Sequence, residues 1–380
     1  MIPLTRPLTG DEEIQLVAEV LRSGWLTQGP KTAAFEEAIA RVVGAPHVVA
    51  VSSCTTALHL AVLLAGVQPG DEVIVPSYTF VATANAVLYA GAVPVFAEID
   101  AKTFTLAPSE IERLVTSRTR AVIAVDQFGL PAELDALEEA CRARGLVFLE
   151  DAACALGAAY RGRPIGSRGK FVLFSFHPRK SITTGEGGAL VTDDPAVDAR
   201  ARILRSHGAS LSDAARHGAM GKAFESYVDL GYNYRLSDLQ AAVGLAQVKR
   251  LDGILARRRA LAARYAERLA GLPWIEPPFE PPHARHPYQT YAALLRPGAP
   301  IDRDSLIRHL ADCGVSSRRG IPPIHREPYM EARLKAPVTL PVTEDISRRT
   351  LILPLYPQMT EAEQEQVVEA LRSAPSSRAR

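Results

Sequence analysis

The sequence predicts an α/β fold, in which a largely parallel sheet carries helices on both faces and a smaller α+β unit follows. Three observations carry that expectation. Short, β-rich apolar runs recur from His47 to Thr192. Helical patterns separate many of these runs, and strands joined by helices pair in parallel and are covered on both faces. After Ser237 this alternation stops and one long helical stretch takes over.

The runs that read as strands are His47–Ser53, Glu72–Pro76, Val93–Ile99, Ala121–Phe128, Leu146–Glu150, Phe171–Phe176 and Ala189–Thr192. Thr55–Ala65, Thr79–Ala90, Pro131–Arg144 and Pro195–Ser206 read as helices. In such sheets ligands bind beyond the carboxyl ends of the strands. Asp126, Asp151 and the Ser175–Lys180 turn all follow strands at that edge and are expected to meet in one cleft. Gly208–Tyr227 looks like a loop. Ser237 and Gln240 form a capping-box pattern that opens a long helix reaching Ala270, with Leu239, Val243, Ala246, Leu251, Leu255 and Leu261 at its apolar positions. A proline-rich break, Leu272 to Pro287, precedes a strand at Thr290–Leu295 and a helix at Arg303–Cys313. A last helix is capped by Thr360 with Glu363. The expected division is a large unit of residues 1–245 and a small one of residues 246–380, ending in a polar tail at Ser373–Arg380.

Composition narrows the function. The 380 residues carry a formal net charge of +1, which gives no electrostatic case for nucleic acid or an anionic membrane. Acidic residues interleave around the run Arg257–Arg259, as on a solvated helix face. Four cysteines, Cys54, Cys141, Cys154 and Cys313, form neither a CxxC pair nor a disulfide framework. Val73–Ala97 is free of charge but contains Pro76, Asn85, Gly91 and Pro94, and parses as strand, helix and strand rather than a membrane span. The start, MIPLTRPLTGDEE, lacks the basic and apolar regions of a signal peptide. A soluble, cytoplasmic protein is expected.

The chemistry concentrates in two stretches. LVFLEDAAC runs an apolar strand into Glu150 and Asp151, and FVLFSFHPRKSITTGEGGAL places Lys180 on a polar turn after another strand. A carboxylate at one strand end and a lysine beyond the next suit pyridoxal phosphate: the amine forms a Schiff base with the aldehyde, and the carboxylate keeps the pyridine nitrogen protonated. Taken alone, such a lysine is an ordinary surface group. Val51–Ala57 joins a strand to a helix through hydroxyl residues, which serve equally as a phosphate cradle or as plain N-caps. Pro76–Phe80 ends a third strand at the same edge, where an aromatic can stack on a planar group or fill the core. Ser175 lies five residues before Lys180. No Walker loop or dinucleotide fingerprint is present.

These segments together resemble one family. SGWLTQGP (Ser23–Pro30), SSCTTALHL (Ser52–Leu60), PSYTFVATANA (Pro76–Ala86), EDAACALGA (Glu150–Ala158), SFHPRKSITTGEGG (Ser175–Gly188) and LGYNYRLSDLQAA (Leu230–Ala242) are similar, in order, to the DegT/DnrJ/EryC1/StrS sugar aminotransferases. The resemblance implies fold type I, with a seven-stranded, mostly parallel sheet in a large domain and a smaller C-terminal α+β domain. It implies pyridoxal 5'-phosphate as cofactor, Lys180 as the Schiff-base lysine and proton shuttle, and Asp151 as the partner of the pyridine nitrogen. Phe80 matches the aromatic that stacks on the ring, and Thr55, Thr56 and Ser175 match phosphate contacts. Asn233 matches an asparagine that reaches the phosphate of a partner subunit, which implies a homodimer with shared sites. His325 falls where the family places a substrate-pocket histidine, and a solvated loop position is the other reading. His177 adjoins the lysine turn.

Departures from the pattern stand beside these matches. Cys154 occupies a position where many members have Gln or His beside the cofactor's 3-hydroxyl; a thiol is a weaker donor and serves equally as a small packing residue. Asp126 replaces a common histidine, and Cys54 replaces a glycine of the phosphate loop. The implied reaction moves an amino group from glutamate or glutamine to a ketosugar, foremost a nucleotide-linked 4-keto-6-deoxyhexose. A 3-ketosugar, a keto-inositol, or a non-catalytic sensor on the same scaffold are the alternatives. Lys180 argues against the dehydrating branch of the family, whose members carry histidine there.

Overall fold

The computed structural model describes residues 1–211, 225–334 and 336–375. Most of the expected Gly208–Tyr227 loop and of the Ser373–Arg380 tail lies outside the described residues. A seven-stranded sheet runs in the spatial order His47–Val51, Gly188–Thr192, Val172–Ser175, Val147–Asp151, Thr119–Val125, Glu72–Pro76 and Val93–Ala97. Gly188–Thr192 is antiparallel to both neighbours, and the remaining pairings are parallel. Buried apolar side chains cover both faces. Phe35, Ile39, Ile74, Val122 and Phe174 pack on one, and Leu58, Leu60, Val73, Ile123 and Leu173 on the other. Desolvation of both faces explains why these strands read as continuous apolar runs.

Each expected strand is present; Glu72–Pro76 has the expected bounds, and the others are shortened, shifted or extended by a few residues. The run through Phe128 stops at Val125, because Gln127–Gly129 turns into a short 3-10 helix with Phe128 at φ 58°. The expected long helix is two, Asp238–Lys249 and Leu251–Leu269, separated at Arg250 (φ −101°, ψ 0°). No proline or glycine marks the break. Arg250 is held there from outside the helix, by Glu13 and by the Leu8 carbonyl. The capping boxes Ser237/Gln240 and Thr360/Glu363 are both formed.

A second, antiparallel sheet orders Ile275–Glu276, Tyr291–Leu295, Thr350–Leu353 and Arg318–Arg319. Its core joins Leu261, Tyr265, Tyr291, Leu351 and Val367, and Ile2 from the chain start packs into it while bridging Val315. A smaller cluster around the fully buried Tyr78, with Phe104, Phe128, Ile346 and Ile352, ties this part to the edge of the large sheet. Tyr78 meets Phe104 and Phe128 edge-on at 5.9 and 6.1 Å between ring centres.

Candidate active site

The carboxyl ends of the parallel strands open into a cavity of about 450 Å³. Lys180, Asp151, Thr55, Phe80, Cys154 and Ser175 line it, together with Cys54, Asp126 and His177. Segments far apart in the chain are brought to one edge because each strand delivers its last residues there.

Lys180 closes the turn after Val172–Ser175, with its N–H donating to the His177 carbonyl at 2.8 Å. Its Nζ donates to Cys154 Sγ at 3.0 Å. Burial works to lower the amine's pKa, yet the neighbouring Cys154, Cys54 and Asp151 outweigh it and raise the value.

Asp151 ends the strand Val147–Asp151 and is 4% exposed. Burial pushes its carboxyl above the ordinary range, against bonds from Thr83 and the Ala153 N–H and the charge of Lys180. Thr83 Oγ1 donates to Asp151 Oδ2 at 2.8 Å, which uses its single proton. Thr79, 3.0 Å away, must therefore donate to Thr83. The result is a directed chain, Thr79 to Thr83 to Asp151.

Two more carboxyls are buried nearby, Asp126 on the cavity wall and Glu150 next to Asp151 in the chain. Burial raises both, and for Glu150 the adjacent Asp126 adds to the rise. Asp126 Oδ1 accepts from the Ala132 N–H at 2.9 Å, while Asp126 Oδ2 and Glu150 Oε1 find no partner among the described residues. Two carboxyls in this position are best satisfied by sharing one proton.

The helix Cys54–Leu64 points its N-terminus at the cavity. Ser53 Oγ accepts from the Thr56 N–H at 3.2 Å, and Thr56 Oγ1 donates to the Ser53 carbonyl at 2.7 Å. Thr56 is thereby engaged in the cap and is not on the cavity wall, whereas Thr55 is. Gly188 lets the neighbouring strand approach this helix end, since a Cβ there would lie 2.4 Å from the Cys54 nitrogen. Phe80 is 66% exposed at the cavity rim.

Two expected contacts lie elsewhere in the subunit. Asn233 is exposed and bridges Ser206, while the adjacent Tyr234 carbonyl accepts from the Ser52 N–H at 2.8 Å. His325 is 1% exposed and does not line the cavity; its ring nitrogens meet Ser77 and Glu344.

The cavity also gathers Gln127, Arg179, Gln289, Thr290 and Arg318, none of which the sequence singled out. Gln289 Nε2 donates to the Arg179 carbonyl at 2.5 Å, so the far end of the chain closes onto the lysine turn. Arg318 and Arg319 alternate on one strand. Arg319 pairs with Asp304 at 2.8 Å, whereas Arg318 Nε is buried with no partner among the described residues. Burial and then the charge of Arg179 lower the Arg318 pKa. Strand alternation hints at the inward face of Arg318, but only the topology reveals what lies there.

Among the described residues, no helix is long and apolar enough to cross a membrane. Comparison with known proteins gives a consistent picture. The chain is 40% identical over 374 residues to the spore coat polysaccharide biosynthesis protein SpsC of Bacillus subtilis (strain 168), covering 98% of this chain and 96% of that protein. It is similar to DesV of S. venezuelae, with 36% identity, a TM-score of 0.88, and coverage of 98% and 97% of the two chains. The PLP form of the putative sugar aminotransferase Spr1654 of Streptococcus pneumoniae superposes with a TM-score of 0.90 at 28% identity, covering 98% of each chain. A family model matches residues 7–372, nearly the whole sequence, and the chain therefore belongs to the DegT/DnrJ/EryC1/StrS aminotransferase family.

Proposed function

We propose that this protein is a pyridoxal-phosphate-dependent aminotransferase that carries an amino group from glutamate or glutamine to a ketosugar, foremost a nucleotide-linked 4-keto-6-deoxyhexose. The observation that carries this reading is the convergence of Lys180 and Asp151 on one cavity beside the N-terminus of Cys54–Leu64. The donor set suits the cofactor: an amine for its aldehyde, a buried carboxylate for its ring nitrogen, and a helix N-terminus for its phosphate.

When bound, the cofactor supplies an electron sink for the bonds at the amino-bearing carbon. Lys180 Nζ would anchor it and would then carry the proton from the donor's Cα to the cofactor carbon that bore the aldehyde. Asp151, held by Thr83 and the Ala153 N–H, keeps a negative charge facing the ring nitrogen. Thr55 and Ser175 would hold the phosphate, with Thr56 shaping the helix end, and Phe80 would cover the ring. Cys154, which accepts from Lys180 Nζ, would stand beside the cofactor's 3-hydroxyl. Asn233 completes the site of a partner subunit in a homodimer, for which its exposure in one subunit is required. Arg179 and Arg318 have no acidic partner among the described residues and suit the carboxylates of the donor. SpsC's part in polysaccharide biosynthesis supports a sugar acceptor.

The acceptor is tested by loading the enzyme with pyridoxamine phosphate and screening ketosugars, with and without a nucleotide. Decay of the cofactor's absorbance with a nucleotide-linked 4-ketosugar is expected. Decay only with free keto-inositols or 3-ketosugars would overturn the proposed acceptor.

A further inference from the structure

His325 and Ser77 stand 248 residues apart in sequence, yet Ser77 Oγ and His325 Nδ1 are 2.7 Å apart. The contact is reinforced from the backbone. The His325 N–H donates to Ser77 Oγ at 3.2 Å, and the Ile324 N–H donates to the Ser77 carbonyl at 2.9 Å. On its other side, His325 Nε2 lies 3.1 Å from Glu344 Oε1, which also takes Arg326 at 2.8 Å. Burial pushes the Glu344 carboxyl up, but the bonds from His325, Arg326 and the Leu340 N–H prevail and hold it down at about 2. An ionised Glu344 only accepts, so Nε2 carries a proton; burial of the ring lowers the His325 pKa and favours the neutral form, in which Nδ1 keeps its lone pair. Ser77 must then donate to Nδ1.

What Ser77 begins, the active site uses. Ser77 is the first residue after the strand Glu72–Pro76. The Tyr78 carbonyl next to it accepts from Gln127 Nε2 at 3.0 Å, Thr79 starts the chain to Asp151, and Phe80 ends the turn at the cavity rim. Phe80 is too exposed to be fixed by its own packing, so the backbone of this turn sets where it stands.

Resting on the aminotransferase reading above, we propose that His325 is a positioning residue that acts through Ser77 to fix the Ser77–Phe80 turn, and with it Phe80 and the Thr79–Thr83–Asp151 chain. The ring thus joins the C-terminal part of the molecule to the floor of the cofactor site without touching the substrate.

Three variants separate this role from a purely local one. His325→Asn keeps an acceptor near the Nδ1 position but loses reach to Glu344, His325→Gln does the reverse, and Ser77→Ala removes one hydroxyl and leaves the histidine. Hydrogen–deuterium exchange of the cofactor-free protein reads the turn directly, and quenching of protein fluorescence reads affinity for pyridoxal phosphate. Ser77→Ala and His325→Gln are expected to speed exchange in peptides spanning 77–83 and to weaken cofactor affinity about tenfold, the effect of losing one buried hydrogen bond. His325→Asn is expected to stay within about threefold of wild type in both, because its amide oxygen still accepts from Ser77. Damage in His325→Asn with a normal His325→Gln would overturn the proposal, since the ring would then serve only Glu344. Unchanged exchange at 77–83 in Ser77→Ala would overturn it as well. The exchange measurement needs no cofactor, so failure of wild-type protein to bind pyridoxal phosphate would defeat the functional reading and leave the test of the clamp intact.

Discussion

Lys180 Nζ donates a hydrogen bond to Cys154 Sγ at 3.0 Å, inside a cavity that Asp151 also lines. Cys154 is one of the groups that raise the lysine's pKa above its ordinary value against the opposing effect of burial. Cys154→Ala removes that support and leaves desolvation less opposed. The pH midpoint for labelling Lys180 with an amine reagent in cofactor-free protein is therefore expected to move down. An unchanged or higher midpoint would mean that Cys154 does not influence the amine.

Asp151→Asn should leave the fold and some cofactor binding in place, since the amide oxygen can still accept from the Ala153 N–H while the Thr83 hydroxyl turns to accept from the amide NH2. The half-reaction with glutamate should fall by about two orders of magnitude or more, the scale of a lost charge stabilisation. Stopped-flow absorbance measures it. Near-wild-type rates would make the carboxylate structural.

The Asp126–Glu150 pair gives a prediction in pH. Both carboxyls titrate above their unfolded values because burial disfavours the charge. The folded state thus holds more protons than the unfolded one between those values, and the pair's contribution to stability declines as pH rises through that window. Glu150→Gln removes part of this decline. Its melting temperature is expected to depend less on pH above the ordinary carboxylate range, and to match or exceed wild type near neutrality. A steeper loss with rising pH would contradict the buried, proton-sharing pair.

Asn233 supplies a test of shared sites. Inactive Lys180→Ala mixed with weakened Asn233→Ala should form heterodimers in which one site has both Lys180 and a wild-type partner asparagine. Activity is expected to exceed that of either parent. No gain, with subunit exchange confirmed by mass measurement, would show that Asn233 does not complete a partner's site.

Much of this arrangement was legible in the sequence because it is local. Apolar runs reported the strands, since both sheet faces are desolvated. Asp151 and the Ser175–Lys180 turn could be set at one edge from strand polarity alone. Gln289, Thr290 and Arg318 were not legible, because they come from a second sheet whose docking no local pattern encodes. The break at Arg250 was missed for a related reason: Leu239 to Leu261 keeps an apolar pattern across it, and the cause lies at Leu8 and Glu13. His325 shows the same limit. Its segment could be recognised, but its burial against Ser77 depends on how the C-terminal part closes over the Glu72–Pro76 strand end. The helices Asp11–Ser23 and Pro30–Val43 are likewise set from a distance, since both pack on Asp238–Lys249, more than 190 residues further along the chain.

Lys180 is the residue proposed to bond the cofactor. Purified protein, loaded with pyridoxal phosphate, reduced with borohydride and digested, is read by peptide mass spectrometry. The reduced cofactor's mass is expected on the peptide containing Lys180, and is expected to be lost in Lys180→Ala. Attachment to Lys170, Lys222 or any other lysine, or no attachment at all, would contradict it.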